Sequence, residues 1–168
     1  MLAGRDERAR VRGAQRGSAS DLEALFRTHW PRAFRAAYLV THDAAAAEDI
    51  AQESFLAAIR ALERFDRKRP FGPWLHRIVV NRAIDWTRAR TLRAEVELVD
   101  SLPASETAKA GGETLAALGK LSPEHRAVVV MRYLLEFTPG EIAEALDLPR
   151  GTVNSRLRRG LDALEDEL

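Results

Sequence analysis

The chain has 168 residues, 46% of them hydrophobic, which is enough for one ordinary domain or two small ones. It has no cysteine, so a disulfide framework and a cysteine-ligated zinc site are excluded. No apolar run reaches the roughly 18 residues of a membrane span, and the Arg-rich start of the chain lacks the apolar segment of a signal peptide. We therefore expect a soluble, cytoplasmic protein with no membrane insertion, no metal and no other cofactor.

Charge is sorted along the chain, although the net charge is only +1. Residues 64–93 sum to +7 and residues 150–161 to +4, whereas the segment between them and the C-terminus are acidic. A solvated helical protein usually interleaves its charges. The two basic segments therefore indicate two separate contacts with a polyanion, with chance clustering of surface arginines as the alternative.

Apolar periodicity predicts three amphipathic helices between residues 20 and 90. The first begins at Ser20, which has capping-box spacing to Glu23. The second runs from Ala44 to about Arg64 behind an N-cap at Asp43, and its outer face is acidic. The third, from Trp74 to about Arg90, follows a turn-rich basic loop.

Two segments show no apolar period. Residues 1–19 are rich in Arg, Gly and Ala and are predicted to be a disordered basic tail. Residues 91–112 contain Pro103 and the pair Gly111-Gly112, which is the composition of a flexible linker. Because strand-type alternation is also missing, we expect an all-α chain with two small helical domains, residues 20–90 and 113–168.

The second domain contains a helix-turn-helix pattern. Ser122 and Pro123 start its leading helix, and Thr138 and Glu141 have capping-box spacing for a short helix that precedes a tight turn. In the next helix the apolar side chains form one stripe, and the opposite side carries Arg, Asn and Ser without any acidic residue. Such a helix fits the major groove of DNA, whereas an ordinary helical hairpin with a charged outer face is the alternative.

The first basic segment differs in kind, because aromatic residues are interleaved with its nine Arg and Lys residues. Positive charge mixed with rings suits single-stranded nucleic acid, whose phosphates need neutralising and whose unstacked bases need flat surfaces. The alternative is that Trp86 and Trp74 are core residues at helical spacing.

Three stretches in one order resemble bacterial RNA polymerase sigma factors of the extracytoplasmic-function class. They are DAAAAEDIAQESFLAAIRA from Asp43, FGPWLHRIVVNRAIDWTRAR from Phe71, and residues 121–161 with LSPEHRAVVVMRYL, EIAEAL and GTVNSRLRRG. The resemblance implies a three-helix region 2 domain, a flexible linker and a region 4 helix-turn-helix domain. It also implies a transcription initiation factor that is not an enzyme.

The resemblance implies three sets of site residues. The set expected to melt DNA and read the −10 element is Phe65, Arg67, Lys68, Arg69, Phe71, Trp74, Arg77, Asn81, Asp85 and Arg88. The set expected to read the −35 duplex is Arg150, Thr152, Asn154, Ser155, Arg156, Arg158 and Arg159. The set expected to bind core polymerase is Asp49, Gln52, Glu53 and Phe55.

The partners implied in the same way are core RNA polymerase, promoter DNA in duplex and single-stranded form, and a controlling anti-sigma factor. The expected location is the nucleoid. One position departs from the family pattern: Asn154 stands in GTV-x-SR where Lys or Arg is usual. Asn can read adenine bidentately but adds no charge, so we expect an altered −35 preference.

Two rival functions were weighed. An enzyme would have to use one of four scattered histidines, and no second histidine pair stands at ligand spacing around His42-Asp43. A conventional helix-turn-helix regulator that binds an operator would need a sensing site within residues 20–90. The sequence offers a helical pattern with an Arg-rich loop there instead.

Overall fold

The computed structural model describes residues 2–96 and 112–168, and their side chains from residue 6 onward. All regular structure in these ranges is helical. The helices are α1 (Leu2–Gln15), α2 (Ala19–Thr41), α3 (Ala44–Ala61), α4 (Phe71–Val96), α5 (Gly112–Lys120), α6 (Pro123–Tyr133), α7 (Pro139–Leu146) and α8 (Arg150–Glu167). A short 3-10 turn, Leu62–Arg64, extends α3. The all-α fold class is confirmed.

The N-terminal segment differs from the prediction, because α1 is a helix where a disordered tail was expected. Val11 of α1 is buried in the core, where α1 packs on α2. This packing stabilises the helix, and it cannot be recognised from the apolar spacing within α1 alone. The first unit is therefore a four-helix packing of α1, α2, α3 and α4.

Helix boundaries follow local capping chemistry. Asp43 caps α3 by accepting from the backbone N–H of Ala46 at 2.9 Å, as predicted. The predicted capping box at Ser20 is wrong: Ser18 is the N-cap of α2 and accepts from the N–H of Asp21. Helix α4 runs past the expected end at Arg90 to Val96, so the predicted linker loses residues 91–96 to this helix. Its remainder, residues 97–111, lies outside the described ranges.

The two units share one continuous apolar core. Helix α6 packs on α8 of its own unit and also on α2 and α4 of the first unit. The core cluster accordingly runs from Val11 and Leu75 to Met131 and Val153. Within the second unit, Gly160 lets α6 and α8 approach closely, since a Cβ there would lie 2.9 Å from Cγ2 of Val129.

A buried arginine joins the two units. The Arg126 side chain on α6 is 7% exposed, and all of its described acceptors are backbone carbonyls. It donates to Leu118, Gly119 and Leu121 at 2.8–2.9 Å, and from Nη1 to Val40 near the end of α2 at 2.7 Å. Burial lowers the pKa of Arg126 from its ordinary value, and these four hydrogen bonds offset the loss of water around the charge.

Two histidines have a buried Nε2 atom with no hydrogen-bond partner among the described residues. His76 is buried on the inner side of α4, whereas half-buried His42 follows α2 in a left-handed conformation at φ 54°. Burial is the main cause that lowers the pKa of each to about 4, from an ordinary value of 6.5. Nearby charge adds to the shift, from Arg126 for His42 and from His29 and Arg32 for His76.

Replacing Arg126 should destabilise the whole chain. Arg126→Met removes the donors and leaves buried carbonyls unpaired, so we expect the free energy of unfolding to fall by about 1–3 kcal/mol. Denaturant titration followed by circular dichroism measures this change. Arg35→Met, on the exposed side of α2, is the control and should change stability by less than about 0.5 kcal/mol. Equal stabilities of the two variants would contradict the conclusion that Arg126 joins the two units.

Acid should destabilise the fold through the two histidines. A lowered pKa in the folded state means that the unfolded chain binds the proton first, so stability is complete above pH 6.5 and is lost as the pH falls towards 4. His76→Gln should remove about one proton from the pH dependence of the unfolding constant in this window, and His42→Gln in addition should remove part of a second. Unfolding curves at several pH values test this, and an unchanged slope in both variants would refute it.

Candidate nucleic-acid interface

The loop between α3 and α4 is held by an aromatic cluster. The rings of Phe65 and Trp74 lie 4.5 Å apart, and Phe71 lies 5.9 Å from Phe65 and 5.6 Å from Trp74. Phe65 and Phe71 are only 8% and 4% exposed, which differs from the expectation that their rings face bases. Their contacts shape the loop from inside, and Trp74, which is half-buried, is the most exposed member of the cluster.

The tip of the same loop presents three adjacent cations. Arg67, Lys68 and Arg69 are all exposed. They are displayed by a turn in which the carboxylate of Asp66 accepts from the N–H of Lys68 at 2.9 Å and its carbonyl accepts from the N–H of Arg69 at 3.0 Å. Asp66 was not predicted as a functional residue from the sequence. An Asp side chain that can accept from the N–H two residues later is nevertheless a recognisable turn signal.

Two predicted −10 residues on α4 are engaged by the helix-turn-helix unit. Arg77 donates from Nη2 to the carbonyl of Glu144 at 3.3 Å, and Asn81 donates from Nδ2 to the carbonyl of Ala145 at 3.1 Å. Both acceptors lie in the last turn of α7, whose carbonyl end favours a cation. In this arrangement exposed Arg77 and half-buried Asn81 are each engaged by the second unit.

Further along α4, Asp85 and Arg88 are exposed. Arg88 points towards α6, with Nε 3.8 Å from a carboxylate oxygen of Glu124. Arg88 also lines a groove of about 520 Å³ that continues onto the start of α8, where Thr152, Ser155 and Arg159 form part of its wall. Arg88 of the predicted −10 set therefore shares this groove with four members of the predicted −35 set, Thr152, Ser155, Arg156 and Arg159.

Helix α7, which precedes the turn into α8, begins as the sequence predicts. The side chain of Thr138 accepts from the N–H of Glu141, and the Glu141 carboxylate accepts from the N–H of Thr138 at 2.7 Å, which completes the capping box. These hydrogen bonds to the charged form lower the pKa of Glu141. At the other end of α7, Asp147 takes a left-handed conformation at φ 52° and turns the chain towards α8.

Helix α8 buries its apolar stripe and presents the predicted reading face outward. Val153 and Leu157 are buried against the other helices of the unit. The exposed members of the predicted −35 set are Arg150, Asn154, Arg158 and Arg159, and the half-buried members are Thr152, Ser155 and Arg156. The face contains no acidic side chain, so nothing on it opposes an approaching phosphate backbone.

The predicted polymerase-binding helix, α3, is open on one side. Asp49, Gln52 and Glu53 are exposed, and Glu53 forms an ion pair with Arg82 at 3.2 Å. Phe55 differs from the expectation, since it is 5% exposed and packs against Phe26, with ring centroids 4.8 Å apart.

Exposed apolar residues extend the acidic face of α3 and were missed from the sequence. Leu56 and Ile59 are 51% and 40% exposed, and Phe26 of α2 is also 40% exposed. The spacing of Leu56, three residues after Glu53, could have indicated this, because residues three and four apart share a helix face. An acidic rim beside apolar side chains is a surface suited to a protein partner.

The described ranges hold neither a metal-binding cluster nor a membrane-spanning helix. No group of three or more His, Cys, Asp or Glu side chains there could hold a metal ion. Over the same residues, none of the helices combines the length and apolar character needed to cross a membrane.

Comparison with known proteins identifies both halves of the chain. The family Sigma-70 region 2 matches residues 25–93, and the family Sigma-70, region 4 matches residues 111–164. Among solved structures, CnrH in complex with the cytosolic domain of CnrY is 28% identical with a TM-score of 0.70, covering 96% of both chains. The sigma factor RpoE in complex with the anti-sigma factor NepR from Bartonella quintana has the same fold, with a TM-score of 0.72 at 20% identity over 89% of this chain and 97% of that one.

Curated relatives carry one description. The ECF RNA polymerase sigma factor SigL of Mycobacterium tuberculosis is 36% identical over 165 residues, 93% of each chain. SigW of Bacillus subtilis is 30% identical over 177 residues, 95% of each chain. SigE of Mycolicibacterium smegmatis is 34% identical over 157 residues, and these cover 87% of this chain and 61% of that longer protein. The chain belongs to the extracytoplasmic-function sigma factors of bacterial RNA polymerase.

Proposed function

We propose that the chain is an alternative sigma factor that binds core RNA polymerase and directs it to specific promoters. The observation that carries the proposal is the presence, on one chain, of two separate basic surfaces on a helical scaffold that matches both sigma regions. A conventional regulator needs one duplex-reading surface and has no use for an exposed acidic and apolar helix such as α3. Bound to polymerase at promoters, the chain would be found at the nucleoid.

The first surface would act on the −10 element. The exposed cations Arg67, Lys68 and Arg69 can neutralise phosphates of the non-template strand. The half-buried ring of Trp74 can contact an unstacked base. Phe65 and Phe71 would contribute by holding the loop in shape rather than by touching DNA. No catalytic chemistry is required, because affinity for the open strand alone offsets unstacking, which costs a few kcal/mol per flipped base.

The second surface would read the −35 duplex from the major groove. Exposed Asn154 can make a bidentate contact to adenine, and Arg150, Arg158 and Arg159 can anchor phosphates or read guanine. The polymerase contact would use Asp49, Gln52 and Glu53 on α3 together with the exposed apolar residues Leu56 and Ile59. Buried Phe55 would support that face from beneath.

The part of the −10 surface on α4 is engaged by the second unit and would be released when the two units separate. Arg77 and Asn81 are bound to α7, and Arg88 faces α8 across the groove, whereas the acidic face of α3 remains open. We propose that polymerase docks first on α3 and that promoter reading follows opening of the two units. CnrH was solved with a protein partner, and we propose that an anti-sigma protein controls this chain by stabilising the closed form.

Reconstituted transcription tests the proposed function. Purified core polymerase plus the chain should initiate at defined promoters selected from a random library, whereas core polymerase alone should not. Asp49→Lys should weaken binding to core polymerase by about tenfold or more without unfolding the chain, because a like charge in an interface costs several kcal/mol. Specific binding of the isolated chain to operator duplex, with no effect on promoter choice, would favour the regulator instead.

Asn154→Lys separates charge from base reading on α8. Because Asn154 is exposed, a cation there should bind one more phosphate, strengthen binding to many sequences and steepen the log-log salt dependence by about 0.9. It should also blunt discrimination at one base pair of the −35 element, worth about 1–3 kcal/mol. Holoenzyme binding to a set of −35 duplexes at several salt concentrations measures both effects.

The matched control for this variant adds the same charge at the far end of the same helix. Leu168→Lys is about 20 Å from position 154 at 1.5 Å per residue, and Leu168 is 67% exposed. It should leave the −35 preference unchanged and alter the salt slope by clearly less. If both variants behave alike, position 154 does not face DNA.

A further inference from the structure

Helix α1 lies outside both family matches, the first of which begins at residue 25, and the functions proposed above assign it no role. Its inner face is formed by Glu7, Val11, Ala14 and Gln15, which recur at helical spacing. Val11 is 2% exposed and Ala14 packs against the same core. The helix is therefore fixed on the first unit by burial, and its two polar inner residues are held in place on either side of Val11.

Gln15 holds the beginning of the loop that follows α3. Its side-chain amide donates to the carbonyl of Leu62 at 2.9 Å and to the carbonyl of Phe65 at 3.2 Å. The Leu62 carbonyl begins the 3-10 turn, where it also accepts from the N–H of Phe65 at 3.1 Å, and the Phe65 carbonyl begins the loop. One amide group thus bridges the segment from Leu62 to Phe65, over which the chain leaves α3.

Glu7 holds the end of the same loop through a histidine. Its carboxylate lies 2.6 Å from Nε2 of His29 on α2. The His29 ring packs against the Phe71 ring, with centroids 5.3 Å apart, and against the backbone of Gly72, where a Cβ would lie 3.0 Å from its Cε1. Phe71 and Gly72 are where the loop enters α4, so α1 contacts both ends of the loop.

We infer that α1 is a clamp that positions the loop of residues 65–70, here named the strand-capturing loop. Gln15 and Glu7 are then positioning residues for the binding of single-stranded −10 DNA. The inference rests on the proposed function for its consequence in transcription. The clamp fixes the two anchor points between which Arg67, Lys68 and Arg69 are displayed. Loosening either anchor should spread the cations over many positions, and a pre-organised site loses affinity when it must be ordered on binding.

Substitutions at Gln15 test the clamp in holoenzyme assembled from the full chain. Gln15→Met keeps the length of the side chain and removes the donor, whereas Gln15→Lys keeps a donor. One net hydrogen bond corresponds to about a fivefold change. Gln15→Met should therefore lower affinity for a single-stranded −10 oligonucleotide about fivefold and leave affinity for a −35 duplex unchanged, and Gln15→Lys should restore most of the loss. Arg16→Met, exposed one residue later, is the control and should match the parent.

A second measurement does not depend on promoter function. Trypsin cleaves after Arg67 or Lys68 in the loop, and cleavage there in the free chain should be about fivefold faster in Gln15→Met than in Arg16→Met. Glu7→Ala, which acts at the other end of the loop, should give the same two effects if Gln15→Met fails to fold. If the parent holoenzyme selects no promoter but the loop still loosens, the proposed function fails and the clamp stands.

Two outcomes would overturn the clamp. One is parent-like strand affinity and parent-like cleavage in folded Gln15→Met and Glu7→Ala. The other is an equal loss of −35 and −10 binding in these variants, which would mean that α1 only stabilises the fold.

Discussion

The arrangement of the whole chain depends on one buried guanidinium. Arg126 binds three carbonyls at the α5–α6 junction and a fourth at the end of α2, so a single side chain ties the second unit to the first. A buried charge needs all of its hydrogen bonds, because each unpaired carbonyl or N–H would add a desolvation penalty. The orientation in which α7 meets α4, and with it the placement of the two proposed DNA-reading surfaces, follows from this junction.

The contacts between the reading surfaces are of a different kind. Arg77 and Asn81 bind α7 through hydrogen bonds at the exposed rim, whereas Arg126 binds its acceptors in the interior. Rim hydrogen bonds exchange readily with water and contribute little net free energy. They engage Arg77 and Asn81 but add little to the free energy that holds the two units together. Separation of the units would therefore be opposed mainly by the shared apolar core and by Arg126.

Local chemistry made much of the fold predictable from the sequence. The Asp43 cap, the Thr138–Glu141 capping box and the stripe of α8 depend on residues close in the chain, and the structure has each as expected. Contacts between distant segments were not predictable. Helix α1 has its apolar partners on α2, so its own sequence resembles a solvated tail, and Phe65 and Phe71 are buried by neighbours that no local pattern reveals.

The same distinction explains which of the predicted site residues face solvent. Cations and amides stay in water unless buried acceptors pair with them, as carbonyls do with Arg126, and Arg150, Asn154 and Arg158 are exposed. An aromatic ring carries no such constraint and can serve a base or the core equally well. In the loop after α3 the rings went to the core and the cations to solvent, so shape and charge are supplied by different residues. A loop built in this way can exchange a surface arginine and keep its form, but it cannot lose Phe65 or Phe71 without losing the turn that displays those arginines.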